Sequence, residues 1–283
     1  MANPNDGISK SSQKLVPQDP TSSMSIREVV PGQIATFSVP FLRFGLIKVG
    51  GRATIVKLKT GNLAVFSPVA LTNEVKAKVQ QMAQAGPSGS VRYLIAPDIE
   101  HHIFITPWSR EYPDANVIGP EGLPEKRDKD PANKGIKFHH VFTPSNKNQM
   151  QITPEFDDDF NYEYVDGHGN KELVFFHKPT RTLIEADLLF NLPATEQFSK
   201  TGEDPNGGIL TKIFSYLTNT RGDMKWQQRL LYYGPGSADR KSFKASITKI
   251  QTWGDFERLI PCHGDVIESG GSRILKQATA MFK

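Results

Sequence analysis

Apolar side chains in the first quarter of the chain alternate with polar ones in short runs cut by glycine-containing turns. Residues 33–39, 41–49, 53–58 and 63–66 read as strands of a β-meander. Pro40 parts the first two, and Gly50-Gly51 and Thr60-Gly61-Asn62 supply the turns. Thr72 is placed to cap a helix over 73–85, which Gly86-Pro87 ends. From Val91 the pattern changes to strand (91–95), helix (106–112), short strand (115–118) and helical turn (122–126), followed by a charged loop over 126–134. Strands return at 136–143, near 163–165, at 173–177 and at 182–186. A helical insertion is expected over 188–233, interrupted by the Gly- and Pro-containing stretch 202–208. Phe243, Ile247 and Ile250 then recur at helical spacing within 239–252, and a strand at 256–261 precedes a C-terminal helix. No repeat of fixed period is visible. Two β-rich halves, each trailing helices, predict an α/β (α+β) fold of two sheets packed face to face with helices outside. Residues 1–27, rich in Ser, Pro, Asn and Gln, read as a flexible N-terminal tail or a strap, which leaves 28–283 as one domain.

Composition narrows the class. The chain has 283 residues, a hydrophobic share of 37%, a charged share of 23% and a net charge of +4, which together describe an ordinary globular protein. Lys and Arg are scattered rather than blocked with aromatics, so no nucleic-acid partner is expected. No window approaches the roughly 20 apolar residues of a membrane span, and no secretory leader is visible, so no membrane partner is expected either. A single cysteine, Cys262, excludes an internal disulfide framework and fits a reducing, cytoplasmic compartment. The expected partner is a small-molecule substrate, and the oligomeric state is left open.

The candidate chemistry lies at strand ends. His101 and His102 follow the strand at 91–95, Asp187 follows the strand at 182–186, and His263 follows the strand at 256–261. Imidazoles and a carboxylate gathered from separate strand ends are how mixed folds build a metal or catalytic site. Adjacent residues in a strand point to opposite faces, so His101 and His102 converge only if they sit in a turn. The plainer alternatives are loop histidines for the pair, a helix N-cap for Asp187 and a turn histidine for His263. His168, in Asp166-Gly167-His168-Gly169-Asn170, is a further candidate ligand. Cys262 is a ligand, a nucleophile or a small buried residue. His139 and His140, on alternate faces of a strand-like run, read as packing, one inward and one outward, and His177 reads as a surface residue. No Gly-x-Ser-x-Gly elbow and no phosphate-binding glycine loop is present, which argues against serine hydrolases and nucleotide enzymes.

The order of these elements resembles the metallo-β-lactamase superfamily. That family carries Thr-His-x-His-x-Asp-His after a strand, then Gly-His, then an Asp after a strand, then a late His-Gly. Here Ala96 takes the Thr place, His101 and His102 the Asp-His places, Gly167-His168 the Gly-His place, Asp187 the bridging Asp and His263 the last His. Within the superfamily the chain is most similar to a divergent branch of unassigned function, through Ser67-Pro68-Val69-Ala70-Leu71-Thr72, Phe175-Phe176-His177 and Thr180-Arg181-Thr182-Leu183. The resemblance covers roughly residues 28–283 and implies an αββα sandwich. Pro97 and Ile99 stand where the first two histidines belong, so the paired-metal reaction typical of the family is not expected. What remains is one divalent ion, zinc before iron or manganese, held by His101, His102, His168, Asp187 and His263. The function expected is a mononuclear metal-dependent hydrolase of a small ester, lactone or amide. Asp187 and His263 would be the catalytic residues, and the 188–233 insertion would shape the pocket. The rivals are a non-catalytic binding or scaffold protein on the same fold, and a metal-dependent lyase, isomerase or oxygen-dependent enzyme.

Overall fold

The structure, a computed structural model, describes residues 5, 8–13, 15–83 and 90–283; the last two positions of the helix expected over 73–85 lie outside the described residues. Two short helices, α1 (Lys10–Gln13) and α2 (Pro20–Ser23), precede β1 (Ser25–Val30) and β2 (Ile34–Val39). The stretch 41–49, expected as one strand, is a hairpin of β3 (Leu42–Arg43) and β4 (Ile47–Lys48). Phe44 and Gly45 both take positive φ there, which reverses the chain. Next come β5 (Gly51–Lys57), β6 (Leu63–Phe66), α3 (Asn73–Ala83), β7 (Val91–Ile95), α4 (Ile105–Glu111), β8 (Asn116–Pro120), α5 (Leu123–Asp128) and β9 (His140–Phe142). Strands β1, β2, β5, β6, β7, β8 and β9 form one sheet in that order, antiparallel as far as β6 and parallel from β6 to β9.

The second half opens with α6 (Pro154–Asp159), capped by the Thr153 hydroxyl, which accepts from the Phe156 N–H. It continues with β10 (Phe160–Val165), β11 (Glu172–His177) and β12 (Thr182–Ile184). The insertion supplies α7 (Thr195–Phe198), α8 (Ile209–Leu217) and α9 (Lys225–Tyr233). After it come α10 (Arg240–Gln251), β13 (Arg258–Ile260) and α11 (Gly271–Ala278). The second sheet has the order β10-β11-β12-β13, with β13 added parallel to β12.

Period-two alternation in the strands sorts side chains into three layers. In β6 and β7, Leu63, Val65 and Leu94 face a core with α3 and α4, where Val75, Val79 and Trp108 are buried. Ala64, Phe66, Tyr93 and Ile95 face the other way and meet Phe160, Phe175 and Ile184 of the second sheet. Val174, Phe176 and Leu183 leave that sheet outward and pack on Phe243 and Ile247 of α10 and Leu275 of α11. This is the αββα sandwich. Ile8 and Met24, from the segment before β1, are buried in the α3–α4 layer. The parallel strands end together at one edge of the two sheets, and there the candidate ligands gather.

Candidate metal centre

The loop after β7 is built by Asp98. Its Oδ1 accepts the backbone N–H groups of Glu100 and His101, both at 2.7 Å, which closes a tight turn. Asp98 is fully buried, and its carboxylate lies 2.9 Å from His101 Nδ1. Because a carboxylate only accepts, His101 carries its Nδ1 proton toward Asp98 and turns Nε2 inward.

Asp187 follows β12. Its backbone N–H donates to Glu172 Oε2 at 3.0 Å, and its Oδ2 accepts from Asn170 Nδ2 at 2.5 Å, so the carboxylate cannot rotate freely. His263 follows β13 in the turn Pro261-Cys262-His263-Gly264. Gly264 has φ +87°, and a Cβ there would lie 2.1 Å from the Asn191 carbonyl oxygen, so only glycine fits. His263 Nδ1 donates to the Gly50 carbonyl at 2.6 Å, which again leaves Nε2 facing inward.

These constraints converge on one point. His101 Nε2 and His263 Nε2 are 3.1 Å apart, and Asp187 Oδ1 is 3.1 Å from His263 Nε2. The three ligand atoms all lie within 4.8 Å of one another. With each Nδ1 anchored to Asp98 or Gly50, the two Nε2 atoms face each other, and either a shared proton or a cation can join them. A tetrahedral ion with bonds of 2.0–2.1 Å sets its ligand atoms about 3.3 Å apart, which is close to the two spacings that His263 Nε2 makes, to His101 and to Asp187. Each imidazole also has the outer partner that metal-bound histidines use, a carboxylate for one and a backbone carbonyl for the other. The residues fit a divalent ion.

Electrostatics offer a proton as the rival to an ion. Burial disfavours the charged form of His101, but Asp98 and Asp187 outweigh it and raise the imidazole to about 9. Burial likewise opposes ionisation of Asp187, yet His101 and His263 hold it well below the ordinary carboxylate range. Glu172 and Glu185, both fully buried, are pushed upward by desolvation, then by Asp98 and Asp187 for Glu172 and by Glu172 and Asp187 for Glu185, and are held toward their neutral form.

Two expected ligands are elsewhere. His102 faces Arg127, whose Nη1 donates to His102 Nδ1 at 2.9 Å and to the His102 carbonyl at 2.6 Å. Consecutive side chains diverge at the turn that Asp98 closes, so only His101 reaches the centre. Burial and the Arg127 charge lower His102 to about 3. His168 is buried, with Nδ1 accepting from the Asn170 N–H at 3.2 Å and Nε2 without a partner. It lies within electrostatic reach of Asp187 and Asp98 but outside the group of three. Its would-be companions are spent on packing: the Pro97 carbonyl accepts from Leu173 N–H, and Ile99 packs on the α3–α4 core. Cys262 is buried, and desolvation pushes its thiol well above the ordinary range, so it is neither a ligand of the group nor an activated nucleophile.

The sequence reading missed Asp98, Asn170, Glu172 and Gly50, which aim the ligands. Asp98 lies in the stretch singled out for its histidines, three residues before His101, and the Asx-turn habit of aspartate was the signal for it. Gly50 carries no local signal.

His101, Asp187 and His263 line a cavity of about 440 Å³. Its walls come from the segment before β1 (Leu15, Val16), from Phe41 and Phe44, from Phe104 and from Arg127. The 188–233 insertion does not line it, contrary to the sequence expectation. The insertion meets the centre through Phe190, whose ring sits 4.6 Å from that of His263, and through Asn191, whose N–H donates to the His263 carbonyl at 3.1 Å, while Leu192, Ala194 and Phe198 bury themselves around Val49.

Residues 31–207 match the family model described as "Domain of unknown function (DUF4336)". The chain belongs to that family. No curated protein matches it. Among solved structures it is similar to DIM-1 metallo-β-lactamase exposed to ceftazidime, at 12% identity and a TM-score of 0.56 over 94% of this chain and 97% of that one. It is also similar to the metallo-β-lactamase from Pontibacter korlensis (11%, 0.53, 92% and 98%) and to that from Hirschia baltica (13%, 0.54, 92% and 97%). The fold of this DUF4336 chain is therefore metallo-β-lactamase-like.

Proposed function

We propose that the protein is a mononuclear metal-dependent hydrolase acting on a small ester, lactone or amide in a reducing, cytoplasmic compartment. One observation carries the reading: two imidazole Nε2 atoms 3.1 Å apart, each ring anchored through Nδ1 to the partner behind it, beside the fixed Asp187 carboxylate. His101, Asp187 and His263 would hold the ion, zinc by the nitrogen and oxygen donor set, with iron or manganese as substitutes. When bound, such an ion lowers the pKa of a coordinated water and polarises a carbonyl. The chain's own residues do the rest. Asn170 pins Asp187 Oδ2, so the carboxylate stays placed to orient an attacking water. Phe41 and Phe190 flank the His263 ring and exclude bulk water from it. The apolar cavity wall accommodates the body of a small substrate.

The alternative favoured by a specific observation is a cluster held by a proton. His101, raised to about 9, can donate Nε2–H to His263 without any ion. Calorimetric titration of chelator-treated protein with zinc, manganese and ferrous ions separates the two. The hydrolase reading expects one tight site per chain and chelator-sensitive cleavage in a panel of nitrophenyl esters, lactones and amides. A protein that takes up none of the three ions is a scaffold on this fold.

A further inference from the structure

Helix α8 is built inside out, and α9 exposes most of its large apolar side chains. In α8 the buried positions are Thr211 and Ser215, while Ile209, Leu210, Ile213 and Tyr216 are exposed, Ile209 to 78%. In α9, Leu231 is buried on the outer core but beside it Gln227 is buried with neither amide atom hydrogen-bonded, while Trp226, Leu230 and Tyr233 are exposed. A helix resting against a protein core shows the reverse pattern. The β3–β4 hairpin extends the same face. Lys48 N–H donates to Thr211 Oγ1 at 3.2 Å, docking the hairpin on α8, and its tip presents Phe44, 77% exposed, and Leu46, 65% exposed. Tyr216 OH accepts from Trp226 Nε1 at 3.2 Å, joining α8 to α9. Solvated monomers rarely keep a contiguous apolar surface of this kind, which marks it as an interaction site.

Charge selects the occupant. The hairpin, α8 and α9 carry Arg43, Lys48, Lys212, Lys225 and Arg229 and not one Asp or Glu. Of these, Lys48 pairs with Glu203 and Lys225 with Asp223, both acids lying outside the three elements. Arg43 lies over the Phe44 ring at 5.3 Å and Arg229 over the Trp226 ring at 5.1 Å. Two copies of this face set against each other would bring like charges together. Exposed aliphatic side chains, Tyr and Trp rings with polar tips, and long basic side chains at the margin are the composition that seats at the headgroup level of an anionic bilayer.

We infer that the face formed by the β3–β4 hairpin, α8 and α9 docks on a lipid bilayer bearing anionic headgroups. This proposal departs from the sequence expectation of no membrane partner, which rested on the lack of a spanning segment. Among the described residues no helix is long and apolar enough to cross a membrane, and the docking is peripheral. It does not depend on the metal. Arg43 and Phe44 also line the cavity at the metal centre, so docking brings that cavity's rim to the lipid surface.

Flotation of the full chain with phosphatidylcholine vesicles, with and without phosphatidylserine, tests it. Binding is expected only to the phosphatidylserine vesicles, with a blue shift of Trp emission and release by added salt. Ile209→Ser with Ile213→Ser, and separately Lys212→Glu with Arg229→Glu, should each weaken binding by about tenfold or more while leaving the melting temperature unchanged. Absence of binding to phosphatidylserine vesicles, or binding that survives both pairs of substitutions, overturns the inference. So does a wild-type dimer in solution that Ile209→Ser with Ile213→Ser renders monomeric, since the face then belongs to a second copy.

Discussion

His101 and His102 are chemically identical neighbours, and the turn closed by Asp98 gives them opposite fates. His101 is aimed at His263, while His102 is held by Arg127. Replacing His263 or His101 by Ala should abolish tight metal uptake in a calorimetric titration, whereas His102→Ala should leave the stoichiometry at one ion. Loss of the ion in His102→Ala would mean that the turn rearranges on binding. Asp98→Asn should weaken uptake by roughly 10- to 100-fold, the usual effect of removing an outer carboxylate from a metal-bound histidine. A separate prediction concerns acid stability. His177, expected from the sequence at the surface, is 1% exposed in β11, and desolvation lowers it to about 4, whereas in the unfolded chain it titrates near 6.5. Between those values the unfolded state binds more protons than the folded one. Stability supplied by the neutral ring is thus intact above about 6.5 and declines as pH falls toward 4. The contribution is about 1–3 kcal/mol. Urea melts of wild type and His177→Gln should diverge in slope against pH within that window, and parallel curves would refute the assignment.

At the scale of elements, what the sequence could reveal was set by how local the cause is. Strands β6, β7 and β11 were legible because each is a short, mostly apolar run of four to six residues, a cause local to the run itself. The break of 41–49 into two short strands was not, because it hangs on positive φ at Phe44, a residue that does not favour that conformation. The α6 helix was overlooked although Thr153-Pro154 is a regular cap and first-turn pair. Asp187 and His263 were readable as strand-end residues. The pocket wall was not, since the segment before β1 joins it through contacts distant in sequence. Leu15, Val16 and Pro17 of that segment line the cavity, and Ile8 and Met24 are buried. Met24→Ala should therefore cost about 2–4 kcal/mol in denaturant unfolding. Deleting residues 1–24 should lower the melting temperature and open the cavity to solvent, seen as faster quenching of tryptophan emission by acrylamide. A truncated chain that melts with the full one would show that the segment adds no packing. At Gly264, substitution by Ala should cost about 2–4 kcal/mol, because it combines a strained φ with a backbone clash at Asn191.

On the scale of the whole molecule, the centre is where the two halves of the sandwich are tied. His101 leaves the first sheet after β7, Asp187 and His263 leave the second after β12 and β13, and Gly50, which orients His263, precedes β5 of the first sheet. An ion held by these ligands links both sheets and binds the folded state alone, because the unfolded chain scatters ligands that lie 86 and 76 positions apart (187 − 101 and 263 − 187). Linkage then fixes the size of the effect. At a free ion concentration about 100 times the dissociation constant, the folded state gains about 2.7 kcal/mol. For a chain somewhat larger than 250 residues that corresponds to a rise in melting temperature of about 5 °C. Zinc added to chelator-treated protein should produce a shift of this order, and excess chelator should reverse it. The shift should vanish in His101→Ala and His263→Ala, and it should persist in His102→Ala and in the Lys212→Glu with Arg229→Glu variant, which alters only the outer face of α8 and α9. A shift that survives His263→Ala would place the bound ion elsewhere and leave the His101, Asp187 and His263 group as a proton-linked cluster between the sheets.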